Sequence, residues 1–290
     1  MKRSRTTLKI LTNFFLSIAV VIAATFLWNS YRLSKFFSNF SFINKNLPNN
    51  FWVSALFFIA IVLISIRSGA SLLSSTKTTI LKSLSNIPEY IPTNPSEFPR
   101  LNLNNLESYT QKLESLGFHK LEDLKLAGKN ANKSPAIARI FLNTEYNCYA
   151  EISQVFSSID PLKDHEIYCN VRSFLENEWS LLTTDTLNSS GIIYMLRRSR
   201  TLWKMLPKYS VNELLHSHLE MREQICRDLN IQPLNNLSLN WYILNEQNEA
   251  VKRKNALEEK NIFIGLIEAL LFELKPKTEW LGEYAKKGLV

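Results

Sequence analysis

The sequence predicts an α+β protein in two parts: two N-terminal transmembrane helices, then a domain in which an antiparallel sheet is packed by helices. Three observations predict it. Uncharged apolar runs occupy residues 10–28 and 51–66; charge is balanced beyond residue 96; and strand-like alternation between residues 118 and 184 is bracketed by helical periodicity on either side. The organisation that follows is a transmembrane hairpin over 1–67, a Pro-containing linker over 68–100 and an α+β domain over 101–290.

Lys9 and Arg32 enclose 22 uncharged residues. As a helix these extend about 33 Å, enough to cross a hydrocarbon core. The run is longer than the core of a signal peptide and lacks a small-x-small cleavage site near Trp28, so an anchor is expected. The second run is tighter. Its 16 residues make about 24 Å of helix, and it spans with help from Asn49 and Asn50, from snorkelling Arg67, and from Trp52 at the interface. Lys2, Arg3, Arg5 and Lys9 before the first run and Arg67, Lys77 and Lys82 after the second outnumber Arg32, Lys35 and Lys45 between them. Both termini are therefore expected in the cytoplasm, the protein being multi-pass in a membrane.

Residues 1–96 hold ten Lys/Arg and one acid, whereas residues 97–290 hold 24 Lys/Arg and 25 Asp/Glu. The whole surplus behind the net charge of +8 lies in the first part. That places the basic character against anionic lipid and gives a nucleic-acid partner no support. Pro88, Pro92, Pro95 and Pro99 mark a semi-rigid, extended spacer.

Beyond the spacer, Leu106, Tyr109, Leu113 and Leu116 recur at helical spacing and Gly117 follows as a left-handed cap. Strands are predicted over 118–126, 136–142, 148–156, 167–175, 179–184 and 192–197, and the short polar connections 143–147 and 176–178 suit antiparallel hairpins. Ser210 and Glu213 form a capping box at the start of a helix running to about Leu229. A long helical stretch over 240–275 follows, charged in its first half and apolar in its second, and Pro276 ends it.

Two constellations carry candidate chemistry. His218 and Arg222 lie one turn apart inside the apolar arc formed by Val211, Leu214, Leu215, Leu219 and Ile225. A buried polar pair needs partners. Either the two are bonded within the core, or they line a pocket in which Arg222 holds an anion and His218 exchanges a proton. Arg197, Arg198, Arg200 and Lys204, with Lys208, surround Trp203; such a pattern suits phosphate or anionic lipid headgroups, or an outer strand whose bases pair with acids. The apolar half of the last helix, Ile262–Leu274, is a core helix or a docking face for a protein partner, with Glu268 reaching water.

Several classes are excluded or disfavoured. Seven glycines and no Gly-x-Gly leave no dinucleotide or phosphate loop, and no Gly-x-Ser-x-Gly elbow occurs. Cys148, Cys169 and Cys226 form no Cys-x-x-Cys pair and read as free thiols in a reducing compartment, with Cys148 and Cys169 as candidates to face one another on neighbouring strands. No metal site, catalytic residue or cofactor is expected. Residues 173–200, reading SFLENEWSLLTTDTLNSSGIIYMLRRSR, resemble the middle of uncharacterised bacterial membrane-anchored proteins with a strand-rich domain, the matching positions being Thr183, Thr184 and Arg198. The resemblance implies a bacterial-type inner membrane and no activity. The expected role is a two-span membrane protein presenting a cytoplasmic binding, scaffolding or sensing domain; the alternative is a tethered enzyme or anionic-ligand sensor with its pocket at His218 and Arg222.

Overall fold

The computed structural model describes residues 74–75, 77–82, 87–127, 135–157, 164–187 and 191–286. Both apolar runs lie outside them, and among the described residues no helix is long and apolar enough to cross a membrane. The described residues form one mixed eight-stranded sheet with helices on both faces, an α+β arrangement.

The strands are β1 (Glu89–Pro92), β2 (His119–Ala127), β3 (Ala136–Asn143), β4 (Cys148–Val155), β5 (Tyr168–Phe174), β6 (Ser180–Thr184), β7 (Thr201–Met205) and β8 (Glu279–Trp280). Their order in space is their order in sequence. Every pair is antiparallel except β6 with β7, so the sheet is mixed where an antiparallel one was expected. A parallel step requires a crossover. It is made by α2 (Gly191–Met195), which replaces the strand expected over 192–197. Its Ile-Ile-Tyr-Met run is apolar enough for either state, and tertiary packing decides: a Cβ on Gly191 would stand 2.5 Å from the Ala269 carbonyl oxygen, so only glycine lets this turn lie on its neighbour.

The stretch read as a spacer also does more than connect, since β1 forms an edge strand paired with β2. Pro92 ends it, and proline is tolerated at a sheet edge. The β3–β4 turn forms where expected: Asn143 Oδ1 accepts from the Tyr146 amide at 2.8 Å, and Asn147 takes a positive φ of 48°.

Two helices cover one face of the sheet. In α1 (Leu103–Ser115), Leu106, Thr110 and Leu113 are buried, and Gly117 follows with φ +82°. In α3 (Val211–Leu229), the Ser210 and Glu213 capping box is present and Asn230 closes the helix in a left-handed conformation. Leu106, Leu113, Val211 and Leu214 pack on Ile137, Ala150, Ile152 and Val171, while Ile225 packs on Leu181 and Leu202. Two further helices and α2 cover the other face. The stretch over 240–275 is broken into α4 (Leu239–Glu259) and α5 (Ile262–Leu274), because Asn261 turns its side chain back to accept from the Phe263 and Ile264 amides. Leu124, Ile140, Tyr149 and Phe174 meet Tyr242 of α4, and Trp203 and Met205 meet Phe272 of α5. Gly282 (φ +50°) opens α6 (Gly282–Lys286) against the Ser199 carbonyl.

Candidate functional site

Side chains alternate along a strand, so the two faces receive different halves of each sequence. On the α1/α3 face the polar groups are enclosed. His218 is fully buried; Ser173 Oγ lies 2.9 Å from its Nε2 and Thr183 Oγ1 lies 2.9 Å from its Nδ1. Burial, assisted by the Arg222 charge, pushes its pKa down to about 3, so the ring is neutral at physiological pH. Arg222 donates to the Tyr146 carbonyl and to Ser173 Oγ at 3.3 Å, and its buried Nε finds no acceptor among the described residues. Of the two sequence alternatives, His218 takes the arrangement of a bonded core residue. Its neighbour His216 is exposed and pairs with Glu220.

Arg139 adds a second enclosed charge, reaching Asp123 at 2.7 Å, Glu107 at 2.8 Å and Thr110 Oγ1 at 2.9 Å. The thiols are enclosed too. Cys148 and Cys169 are fully buried and free, and burial pushes Cys148 up to about 12. They do not face one another, because Cys169 is in register with Ile152 and Cys148 with Asn143.

The opposite face holds a cavity of about 450 Å³. Its floor is the outward row of β5 to β7: Tyr168, Asn170, Leu182, Thr184, Trp203 and Met205. Its roof comes from Ile193, Leu196, Arg197 and Arg198 around α2 and from Glu249 and Arg253 of α4. Arg172 completes the wall, paired with Glu246 of α4.

The basic constellation around Trp203 is therefore divided. Arg197 and Arg198 line the cavity. Arg197 lies over the Tyr194 ring at 3.8 Å and reaches Glu268 at 3.2 Å; Arg198 pairs with Glu249 and, at 3.6 Å, with Glu178. Arg200 stands apart at the start of β7, bonded to Glu283 at 3.0 Å. Lys204 shares the parity of Leu202 and so belongs to the α3 face. Glu268, expected to reach water, is instead held between Lys260 at 2.5 Å and Arg197; burial alone pushes its carboxyl up, and those two hydrogen bonds bring it below the usual range.

Four arginines and one carboxylate, Glu249, line this cavity. Asn170 adds a side-chain amide, beside Thr184 across the β5–β6 pair. Sequence reasoning missed Tyr168, Asn170 and Arg172, because a polar row alternating with Cys169 and Val171 reads as a solvated face. Among the described residues no group of three or more His, Cys, Asp or Glu is placed to hold a metal ion. No protein-family model, no curated protein and no solved structure matches this chain.

Proposed function

We propose that the chain is a membrane-anchored binding or sensing protein: two N-terminal spans hold the α+β domain at the cytoplasmic surface, and the domain takes a partly apolar, anionic small molecule. The observation that carries this is the cavity. Its volume of about 450 Å³ falls within the roughly 300–1,000 Å³ of small-molecule sites, and apolar surface from Leu182, Ile193, Leu196, Trp203 and Met205 is joined there by converging polar groups, four arginines among them. Arg253 is the least engaged of its cations, 40% exposed in its side chain and 4.0 Å from Glu246. An anionic end placed there and an apolar body against Leu182, Trp203 and Met205 match what the walls offer. The alternative pocket at His218 and Arg222 has less support, since both His218 nitrogens are occupied.

Thermal unfolding of the full-length chain in detergent, run against carboxylates and phosphate monoesters with apolar bodies, tests the reading. At least one should raise Tm by several degrees in the wild type and leave Leu182→Trp, which fills the cavity, unshifted. Equal shifts in both proteins would show that binding occurs elsewhere.

A further inference from the structure

The helix α5 presents an apolar face that nothing among the described residues covers. Phe263 (54% exposed), Ile264 (53%), Ile267 (39%), Leu271 (60%) and Leu274 (58%) are its exposed large hydrophobics. At 100° per residue the five fall within one arc of about 100°. The buried positions Gly265, Ala269 and Phe272 lie on the other side. No charge interrupts the arc. Both acids of the helix are engaged with the protein, Glu268 with Lys260 and Arg197, and Glu273 with the Gly191 amide at 2.6 Å. Exposed Lys275 and Lys277 follow immediately.

The chain leading to this helix is clamped beside it. Residues 77–82 are helical, and Lys77 Nζ donates to the Glu258 carbonyl at 2.6 Å and the Lys260 carbonyl at 3.1 Å, at the junction of α4 and α5. Ile80 and Leu81 pack beside Ile262 and Ala269. Only residues 67–76 separate that clamp from the second apolar run. That separation is at most about 36 Å extended and about 16 Å as helix.

We infer that α5 is an interfacial helix, laying Phe263, Ile264, Ile267, Leu271 and Leu274 into the headgroup and upper acyl region of the bilayer, with Lys275 and Lys277 at the phosphates. The inference rests on the second apolar run being membrane-inserted. An anchor leaving the bilayer this close to the α4–α5 junction brings the uncharged arc to the lipid surface, where an apolar stripe with flanking lysines is stable.

The test uses the full-length chain with Cys226→Ser, its other two thiols being fully buried. A single cysteine is introduced by Leu271→Cys or, as a water-facing control, by His216→Cys, spin-labelled, and reconstituted in phosphatidylcholine vesicles with and without phosphatidylglycerol. Relative to a water-soluble nickel chelate, oxygen should reach the label at position 271 several-fold more readily than the label at 216. Equal nickel access at both positions, in a chain that resists alkaline extraction, overturns the α5 contact and leaves the anchor standing. Release of the chain by alkaline carbonate overturns the anchor, and the inference with it. Protection of position 271 from both reagents also overturns it, in favour of a protein cover such as the run 51–66 or a second copy.

Discussion

The two faces of the sheet solve the same problem in different ways. Against α1 and α3, apolar side chains close the space, and the polar groups left inside are almost all bonded: His218 to two hydroxyls, Arg139 to two carboxylates and a hydroxyl. Against α2, α4 and α5, arginine–glutamate pairs hold the helices over a cavity, and apolar surface is left outside on α5. The difference teaches that a polar residue within an apolar arc marks a bonded core position when hydroxyls stand opposite it. Capacity for binding sits where the covering helix is too polar to fill the space.

The largest effect should come from the closed face. Arg139→Ala leaves the buried Asp123 with Lys120 alone, at 2.6 Å, and should cost about 3 kcal/mol, the lower end of the range for a broken buried pair, in urea unfolding of the full-length chain in detergent. A loss below 1 kcal/mol would break the comparison, because the Arg139 contacts would then add little to closing that face.

His218 gives a pH signature. Its folded pKa of about 3 lies below the unfolded value of about 6.5, so the unfolded state binds more protons between those values. Stability is full above pH 6.5 and falls as pH drops towards 3, by up to about 1.4 kcal/mol per pH unit from this group. His218→Asn should flatten that part of the profile, whereas the exposed His216→Asn should leave it steep. Identical profiles for the two variants would show that the slope belongs to other groups. Removing the ring altogether, His218→Ala, takes the imidazole partner from the Thr183 hydroxyl and leaves Ser173 Oγ with Arg222, and should cost about 1–3 kcal/mol.

Smaller effects are expected opposite. Leu182→Trp places its ring into vacant space and should change stability by no more than about 1–2 kcal/mol, in either direction. A collapse of the fold would mean that the cavity is not available volume. Least affected is the outer arc of α5: Leu271→Glu should alter unfolding by no more than about 0.5 kcal/mol, since its side chain touches little of the protein. A larger loss in detergent-solubilised protein would show that this helix is covered by protein.

Legibility in the sequence follows the same division. The helix α3 was readable to its ends, because a capping box and a continuous apolar arc report one environment along its length. Gly117 and the 143–147 turn were readable for a similar reason, local chemistry deciding local backbone. The short helix α2 was not, since five apolar residues suit either period and contact with Ala269 settles the matter. The edge strand β1 was hidden by prolines that a central strand would exclude. Of the candidate residues, Arg197 and Arg198 stood out by their charge, whereas the cavity that they line gave no signal in the sequence. Its floor looks solvated in sequence, and α4 buries only Tyr242, Glu249 and Leu257, too sparse a stripe to announce that it covers anything.

A sheet whose spatial order repeats its chain order has a consequence for how the molecule is made. From β2 to β6, each strand meets a partner that has already left the ribosome, across short connections, so the loop-closure entropy per step is small and assembly can follow synthesis. The helix α4 emerges after β7, so its share of the roof, Glu249 and Arg253, is added last. A ligand present during synthesis would therefore meet its floor before the site is closed.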